Sequence, residues 1–219
     1  MKISKRTATI LKNFQGINES IYLAEGSVLA TQNPAKGVNF FARAKVEEDF
    51  PKSAALYKLA NFLGILSIMP DAELNFGEKA VTVSNGSKSF KVVYAAPELI
   101  HYPAPGKKVV FPDVLSKFDV TKETFDSLSK ASSLMSLDTI AFVSKGGEEK
   151  IVVYEKSNPT SDTFEIVMTS EKKSGDYRVL LSAEKFKKVM SGDYVISVSE
   201  SGIKFEGIDI EYCIASEIE

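Results

Sequence analysis

Residues able to do chemistry are sparse in this chain, and their spacing points to fixed charge rather than to catalysis. The single histidine, His101, sits in a proline-rich stretch with no cysteine, serine or acid in a nucleophilic pattern beside it, so no triad or activated thiol assembles from its neighbours. It reads as a surface-loop histidine. Gly146-Gly147 lacks the lysine and hydroxyl that complete a phosphate-cradling loop and reads as a hairpin turn. The acid runs Glu47-Glu48-Asp49 and Glu148-Glu149 have the donors for acid–base work or for a cation, yet adjacent charges of this kind are ordinarily solvated loops. Cys213 is the one cysteine, with neither a disulfide partner nor a metal-ligand companion. Nothing here argues for an enzyme, a metal or a cofactor.

Positive charge, in contrast, does fall into a pattern. Lys5, Arg6 and Lys12 lie on a stretch of helical periodicity that contains no acid, and Lys185, Lys187 and Lys188 outnumber Glu184 on another. Lys122 and Lys130 are set against Glu123 and Asp126 on a third. The chain as a whole carries a formal charge of −2, so basic helices are separated from acidic strands and loops. Lysines on one exposed helix face usually serve solubility alone; recurrence on matching helices favours a ligand. Such faces attract a phosphate backbone without reading its sequence. No aromatic residues interleave them to stack bases, so the expected ligand is duplex rather than single-stranded.

The elements that must position these cations follow from periodicity. Ile10, Leu11, Phe14 and Ile17 share one side of a helix from Ser4 to about Ile17, with Ser4 as its N-cap. A second helix spans Leu59 to Met69, stopped by Pro70. Its polar side offers only Ala60, Asn61, Gly64 and Ser67. Strands are expected at Ile21–Leu23, Ser27–Thr31, residues 39–45, Glu73–Phe76, Ala80–Ser84 and Ser89–Tyr94, with Asn85-Gly86 as a turn. A proline-rich connector, about residues 95–112, opposes both helix and central strand. Beyond it a third helix covers Thr121–Met135 and a fourth runs from Ser182 to about Met190. Strands are expected at Thr139–Ser144, Lys150–Lys156, Thr163–Thr169, Arg178–Ser182, Tyr194–Ser199, Gly202–Glu206 and Glu211–Ser216.

The two halves also echo each other in sequence. Ile3-Ser4-Lys5-x-Thr7-x-x-x-Leu11 returns as Val120-Thr121-Lys122-x-Thr124-x-x-x-Leu128, and Val83–Phe90 returns in Val198–Phe205. With 219 residues and 44% hydrophobic content the chain can fill two cores. The expectation is two similar α+β domains, 1–108 and 109–219, each with two helices on one face of an antiparallel sheet. The longest apolar stretch, Phe62 to Met69, is broken by Gly64 and Ser67, and no apolar signal region follows Met1–Arg6. A soluble cytosolic protein without a membrane span is expected.

At this level of detail the chain resembles the DNA polymerase sliding clamps of T4-like bacteriophages. The resemblance rests on Met1-Lys2-Ile3-Ser4 through Leu11-Lys12-Asn13-Phe14, on Phe62-Leu63-Gly64-Ile65-Leu66-Ser67 and on Phe111-Pro112. It continues through Leu137-Asp138-Thr139-Ile140-Ala141 and Lys204-Phe205-Glu206-Gly207. It implies a homotrimeric ring with helices lining a hole and sheets outside, loaded on DNA by an ATP-driven clamp loader. Such a clamp tethers the DNA polymerase, catalyses nothing, supports phage late transcription, and works in the cytoplasm of the infected host. It would place Lys5, Arg6, Lys12, Lys122, Lys130, Lys185, Lys187 and Lys188 towards double-stranded DNA. It would also place a partner-peptide pocket at the connector, formed from Leu99, Ile100, Val109, Val110, Phe111, Tyr212 and Ile214. Those seven serve equally well as glue between domains. The competing readings are a monomeric duplicated module that binds a protein or small ligand, and a hydrolase with scattered carboxylates.

Overall fold

The computed structural model describes residues 1–34, 40–111, 113–158, 160–170 and 175–217. Asn39 and Pro112, which the sequence reading placed in a strand and in the connector, lie outside them. The chain divides into two compact units, Met1–Lys108 and Val109–Glu219.

In the first unit α1 (Lys5–Gln15) is followed by β1 (Ile21–Leu23), β2 (Gly26–Gln32), β3 (Phe40–Phe50) and β4 (Ala54–Leu56). Helix α2 (Leu59–Ile68) then leads to β5 (Glu73–Phe76), β6 (Ala80–Asn85) and β7 (Lys88–Val93). Ser4 caps α1, its hydroxyl accepting the Thr7 amide hydrogen at 3.2 Å. Thr7, Ile10, Leu11 and Phe14 are buried on one side of that helix, which packs on α2 and β3. Every pairing is antiparallel: β1 with β4, β2 with β3, and β5, β6 and β7 in sequence. Strand β4 escapes the sequence reading because Ala54 and Ala55 carry little strand preference; burial on every residue holds it in place.

The proline-rich segment is not a free tether over its first part. Asn18, buried, donates through Nδ2 to the carbonyls of Gln32 at 2.9 Å and His101 at 2.7 Å. Its Oδ1 accepts from the Ser20 amide and hydroxyl, so one amide side chain ties the connector down with its hydrogen-bonding groups used. Tyr102 stacks on Tyr22 with centroids 4.3 Å apart. His101 is thus an exposed side chain on an anchored backbone, with Nε2 2.8 Å from Gln32 Nε2.

The second unit runs β8 (Val114–Val120), α3 (Lys122–Leu134), β9 (Thr139–Lys145), β10 (Glu148–Tyr154), β11 (Phe164–Met168) and β12 (Tyr177–Ser182). Helix α4 (Ala183–Phe186), β13 (Tyr194–Ser199), β14 (Gly202–Glu206) and β15 (Ile210–Ala215) complete it. Two antiparallel sheets form, in the orders β11-β10-β9-β12 and β15-β14-β13-β8. Phe125, Phe186, Tyr194 and Phe205 make a ring cluster beneath α3 and α4. Cys213 is buried, and burial pushes its thiol pKa up to about 12. Gly146 and Gly147 both take positive φ in the two-residue turn between β9 and β10, the hairpin chemistry expected of that pair.

The repeat is visible at the helix starts. Thr121 caps α3 as Ser4 caps α1, accepting from Thr124 N–H where Ser4 accepts from Thr7 N–H. Two expectations need correcting. Strand β8 went unread because an inward polar residue, the buried Ser116, interrupts the apolar alternation of Phe118 and Val120. The fourth helix is one turn, not the span from Ser182 to Met190. After Phe186 the backbone closes into tighter bonds, Lys188 N–H to Lys185 O and Val189 N–H to Phe186 O, both 3.0 Å.

Candidate nucleic-acid interface

Sequence reasoning singled out eight cations, and the structure sorts them by their surroundings. Lys5, Thr9 and Lys12 share the exposed side of α1, opposite its buried residues, with Arg6 beside them. None of these three cations has an ion-pair partner among the described residues. The first turn of α1 contains no acid. Lys5 and Arg6 therefore stand where the helix dipole disfavours cations, a local cost that solubility alone does not require.

Glu48, from β3, offsets part of that cost. Its carboxylate accepts the Ser4 amide hydrogen on Oε1 and the Thr7 hydroxyl on Oε2 at 2.5 Å. Partial burial alone would raise its pKa, but these hydrogen bonds outweigh burial and hold it below the ordinary 4.5. A carboxyl depressed on folding stabilises the fold above its unfolded pKa and loses that contribution as pH falls through its folded value. Replacing Glu48 with Gln is accordingly expected to lower stability at pH 7 by roughly 1–2 kcal/mol, the scale of charge-assisted hydrogen bonds after solvent screening. The gap between variant and parent should narrow as pH falls from the ordinary 4.5 through the lower folded value. Urea denaturation at pH 7 and pH 3.5 measures both; an equal gap at the two values would remove Glu48 from this role.

In the second unit the positive face is partly neutralised. Lys122 Nζ lies 2.5 Å from Asp126 Oδ2. The hydrogen bond from Lys122, with another from Ser191, holds the Asp126 carboxyl below its usual range. Lys130 is exposed near the same acid. Lys185 pairs with Glu217 at 3.0 Å, and Lys188 approaches Glu184 at 3.6 Å. Lys187 is exposed with no ion-pair partner among the described residues. Four of the eight, Lys5, Arg6, Lys12 and Lys187, are thus the most available to an external anion. Exposed, mobile ammonium and guanidinium groups of this kind attract phosphates and hold no base in register.

The apolar candidates separate as well. Leu99 is exposed in the first unit and Val110 is 80% exposed in the second, with Val109 and Phe111 half-buried. Ile100 is buried, and Tyr212 and Ile214 are completely buried on β15. The latter two are core residues, and their side chains support the second unit rather than meet a ligand.

Sequence reasoning missed a further set. Ile68 on α2, Phe90 and Val93 on β7, Leu134 at the end of α3 and Val167 on β11 are all exposed. The signal was present in α2, which buries only Leu59 and Phe62 yet has no charged side to offer solvent. Among the described residues, β7 pairs on one side only, with β6, and β11 on one side only, with β10. Strand β7 carries Lys88 and Lys91, and β11 carries Glu165. Two open strand edges therefore come with apolar side chains beside them, and Glu165 on one of them is paired with Lys150 at 2.8 Å.

No protein-family model matches the chain. It is 32% identical to the sliding clamp of Vibrio phage KVP40 over 99% of both chains. It is 29% identical to the sliding clamp of Escherichia phage RB69, over 99% of this chain and 97% of that one. With the sliding clamp of Enterobacteria phage T4 the identity is 28%, over 99% and 97%. Among solved structures, A. fulgidus PCNA with the C-terminal region of FEN-1 bound superposes with a TM-score of 0.71 at 18% identity. That match covers 100% of this chain and 99% of the other. The Helicobacter pylori beta clamp bound to a DNA ligase peptide gives 0.69 at 13% identity, over 99% of this chain and 65% of that longer one.

Proposed function

The chain belongs to the sliding clamps of T4-like bacteriophages, and from that premise we propose that three copies close around duplex DNA and tether the replicative DNA polymerase. It is a processivity factor and not an enzyme. The observation that carries the reading is an end-to-end relationship, 32% identity over 99% of both chains, in a protein whose first helix bears three cations without ion-pair partners among the described residues. A clamp must hold DNA without stopping on it, which backbone attraction without base contacts supplies.

The open edges support a ring. Strand β7 of one copy adding to β11 of the next would extend both sheets, bury Phe90 and cover edges that otherwise invite aggregation. Such an interface is heterologous, so it either closes into a ring or runs on as a filament; we take it to close at three. An ATP-driven loader opens the ring, and loader, polymerase and late-transcription proteins dock on the exposed apolar residues Leu99, Val109, Val110 and Phe111. The setting is the cytoplasm of the infected bacterium. No helix among the described residues is long and apolar enough to cross a membrane.

Topological retention tests the function. Clamp assembled with loader and ATP on a nicked circular DNA is expected to stay bound through gel filtration at about 0.2 M salt and to run off once the circle is linearised. Equal loss from circle and linear DNA would overturn encirclement. Light scattering of free protein is expected to give about three times the 24.0 kDa of one chain.

A further inference from the structure

One groove is absorbed by none of these roles and lies wholly in the second unit. It encloses about 480 Å³ and is lined by Asp119, Thr121, Asp193, Val195, Glu206 and Ile208, with Val120 and Tyr194 beneath. Its shape follows from strand register. Val195 on β13 stands opposite Asp119 on β8 and opposite Glu206 on β14, so an apolar side chain is flanked across the sheet by two carboxylates on one face. The turn from β14 to β15 then lifts Ile208 to 98% exposure at the mouth.

The charge at this mouth is one-sided. Asp193 accepts the Lys122 amide hydrogen at 2.6 Å through Oδ1. Glu206 pairs with Lys204 at 2.8 Å, and Lys204 is shared with Glu211 at 3.6 Å. Asp119 is exposed, with no ion pair among the described residues, and Asp209 follows Ile208 directly. The Lys122 ammonium is engaged by Asp126. Acids outnumber cations around an apolar floor, and nothing in the DNA-facing role uses them, since they repel phosphate.

We propose that this groove docks a basic segment of a partner protein, in extended form, seating one aliphatic side chain against Ile208 and Val195 with lysines or arginines beside Asp119, Asp193 and Glu206. Charge complementarity selects the occupant: an acidic peptide or a nucleic acid is repelled, and a neutral apolar peptide leaves Asp119 without an ion pair. The groove's lining shares no residue with the apolar set at the connector. The proposal does not depend on ring closure or on DNA.

Methyl NMR of the intact protein, labelled at Ile, Leu and Val methyl groups, tests it with a synthetic Lys-Leu-Lys-Leu-Lys-Leu peptide and Glu-Leu-Glu-Leu-Glu-Leu as control. The basic peptide is expected to shift the Ile208, Val195 and Val120 signals, saturably, and the acidic one to leave them in place. Ile208→Ser, at a side chain that supports no core, should weaken the binding about tenfold. Asp119→Lys should weaken it further while leaving the other methyl signals unmoved. Absence of shifts at these three residues, equal shifts with the acidic peptide, or unchanged binding in both variants would overturn the assignment. So would a fall in mass on Ile208→Ser, which would make the groove an interface between copies of this chain.

Discussion

Charge reversal at Lys5 and Lys12 together is expected to abolish processive synthesis at physiological salt while leaving assembly intact. Both side chains are exposed on one side of α1, away from Ile10, Leu11 and Phe14, so the substitutions remove no packing. On the proposed reading they change the sign of a helix face turned towards a ligand of uniform negative charge. Removing a lysine from a DNA phosphate is expected to flatten the salt dependence of DNA retention by about one unit of slope per lysine, and reversal adds repulsion. A drop of at least about tenfold in product length or retained clamp follows, equivalent to about 1.4 kcal/mol. The same exchange at Lys185 and Lys188 should do less to DNA, because these ammoniums already face Glu217 and Glu184. Primer extension with polymerase and loader, run across a salt series, measures both. Undiminished synthesis by the Lys5→Glu, Lys12→Glu protein would take α1 out of the DNA path.

Phe90→Glu is expected to break the proposed ring. Phe90 lies on β7, opposite Val83 in the β6 register, exposed at the open edge of its sheet. Phe90 shares the face of the buried Val83 and is 41% exposed, and a carboxylate there would be desolvated in any strand-to-strand interface, a cost of several kcal/mol for an uncompensated ion. Three equivalent interfaces carry the change at once in a closed trimer. Light scattering is expected to move from about three times 24.0 kDa to a species near 24.0 kDa across the micromolar range, with retention on circular DNA abolished in parallel. An unchanged mass would mean that copies of the chain meet elsewhere. Circular dichroism guards the interpretation, since a monomer that keeps its strands separates loss of assembly from loss of fold.

How far all this was legible in the sequence varied with the physics involved. Helix α1 could be read almost to the residue, because its apolar spacing, its serine cap and its basic side are all local. The α+β class and the duplicated helix–strand order followed from the same kind of signal. Strand β8 was hidden by Ser116, whose inward position makes sense only once Glu149 is seen beneath it, accepting its hydroxyl hydrogen at 2.5 Å. The length of α4 was misread because Phe186 and Val189 satisfy helical spacing equally well in a tighter turn. Within the candidate site, residue type marked the cations but not their neutralisation. Asp126 lies on the same helix as Lys122 and could be weighed, whereas the pairing of Lys185 with Glu217 is made by the fold. Tyr212 and Ile214 illustrate the opposite limit, since the sequence of β15 does not reveal that Tyr212, Cys213 and Ile214 are buried on both of its faces.

Cys213 gives the molecule one practical property. Its thiol is buried on β15, with burial holding its proton on well beyond neutral pH, so maleimides and other thiol-directed reagents will pass the native chain by. A cysteine introduced at an exposed position such as Ile208 or Lys187 becomes the sole reactive handle without any prior replacement of the native one. Dye pairs, spin labels or bismaleimide staples can therefore be written onto the unaltered scaffold, and the opening of a ring followed one subunit at a time.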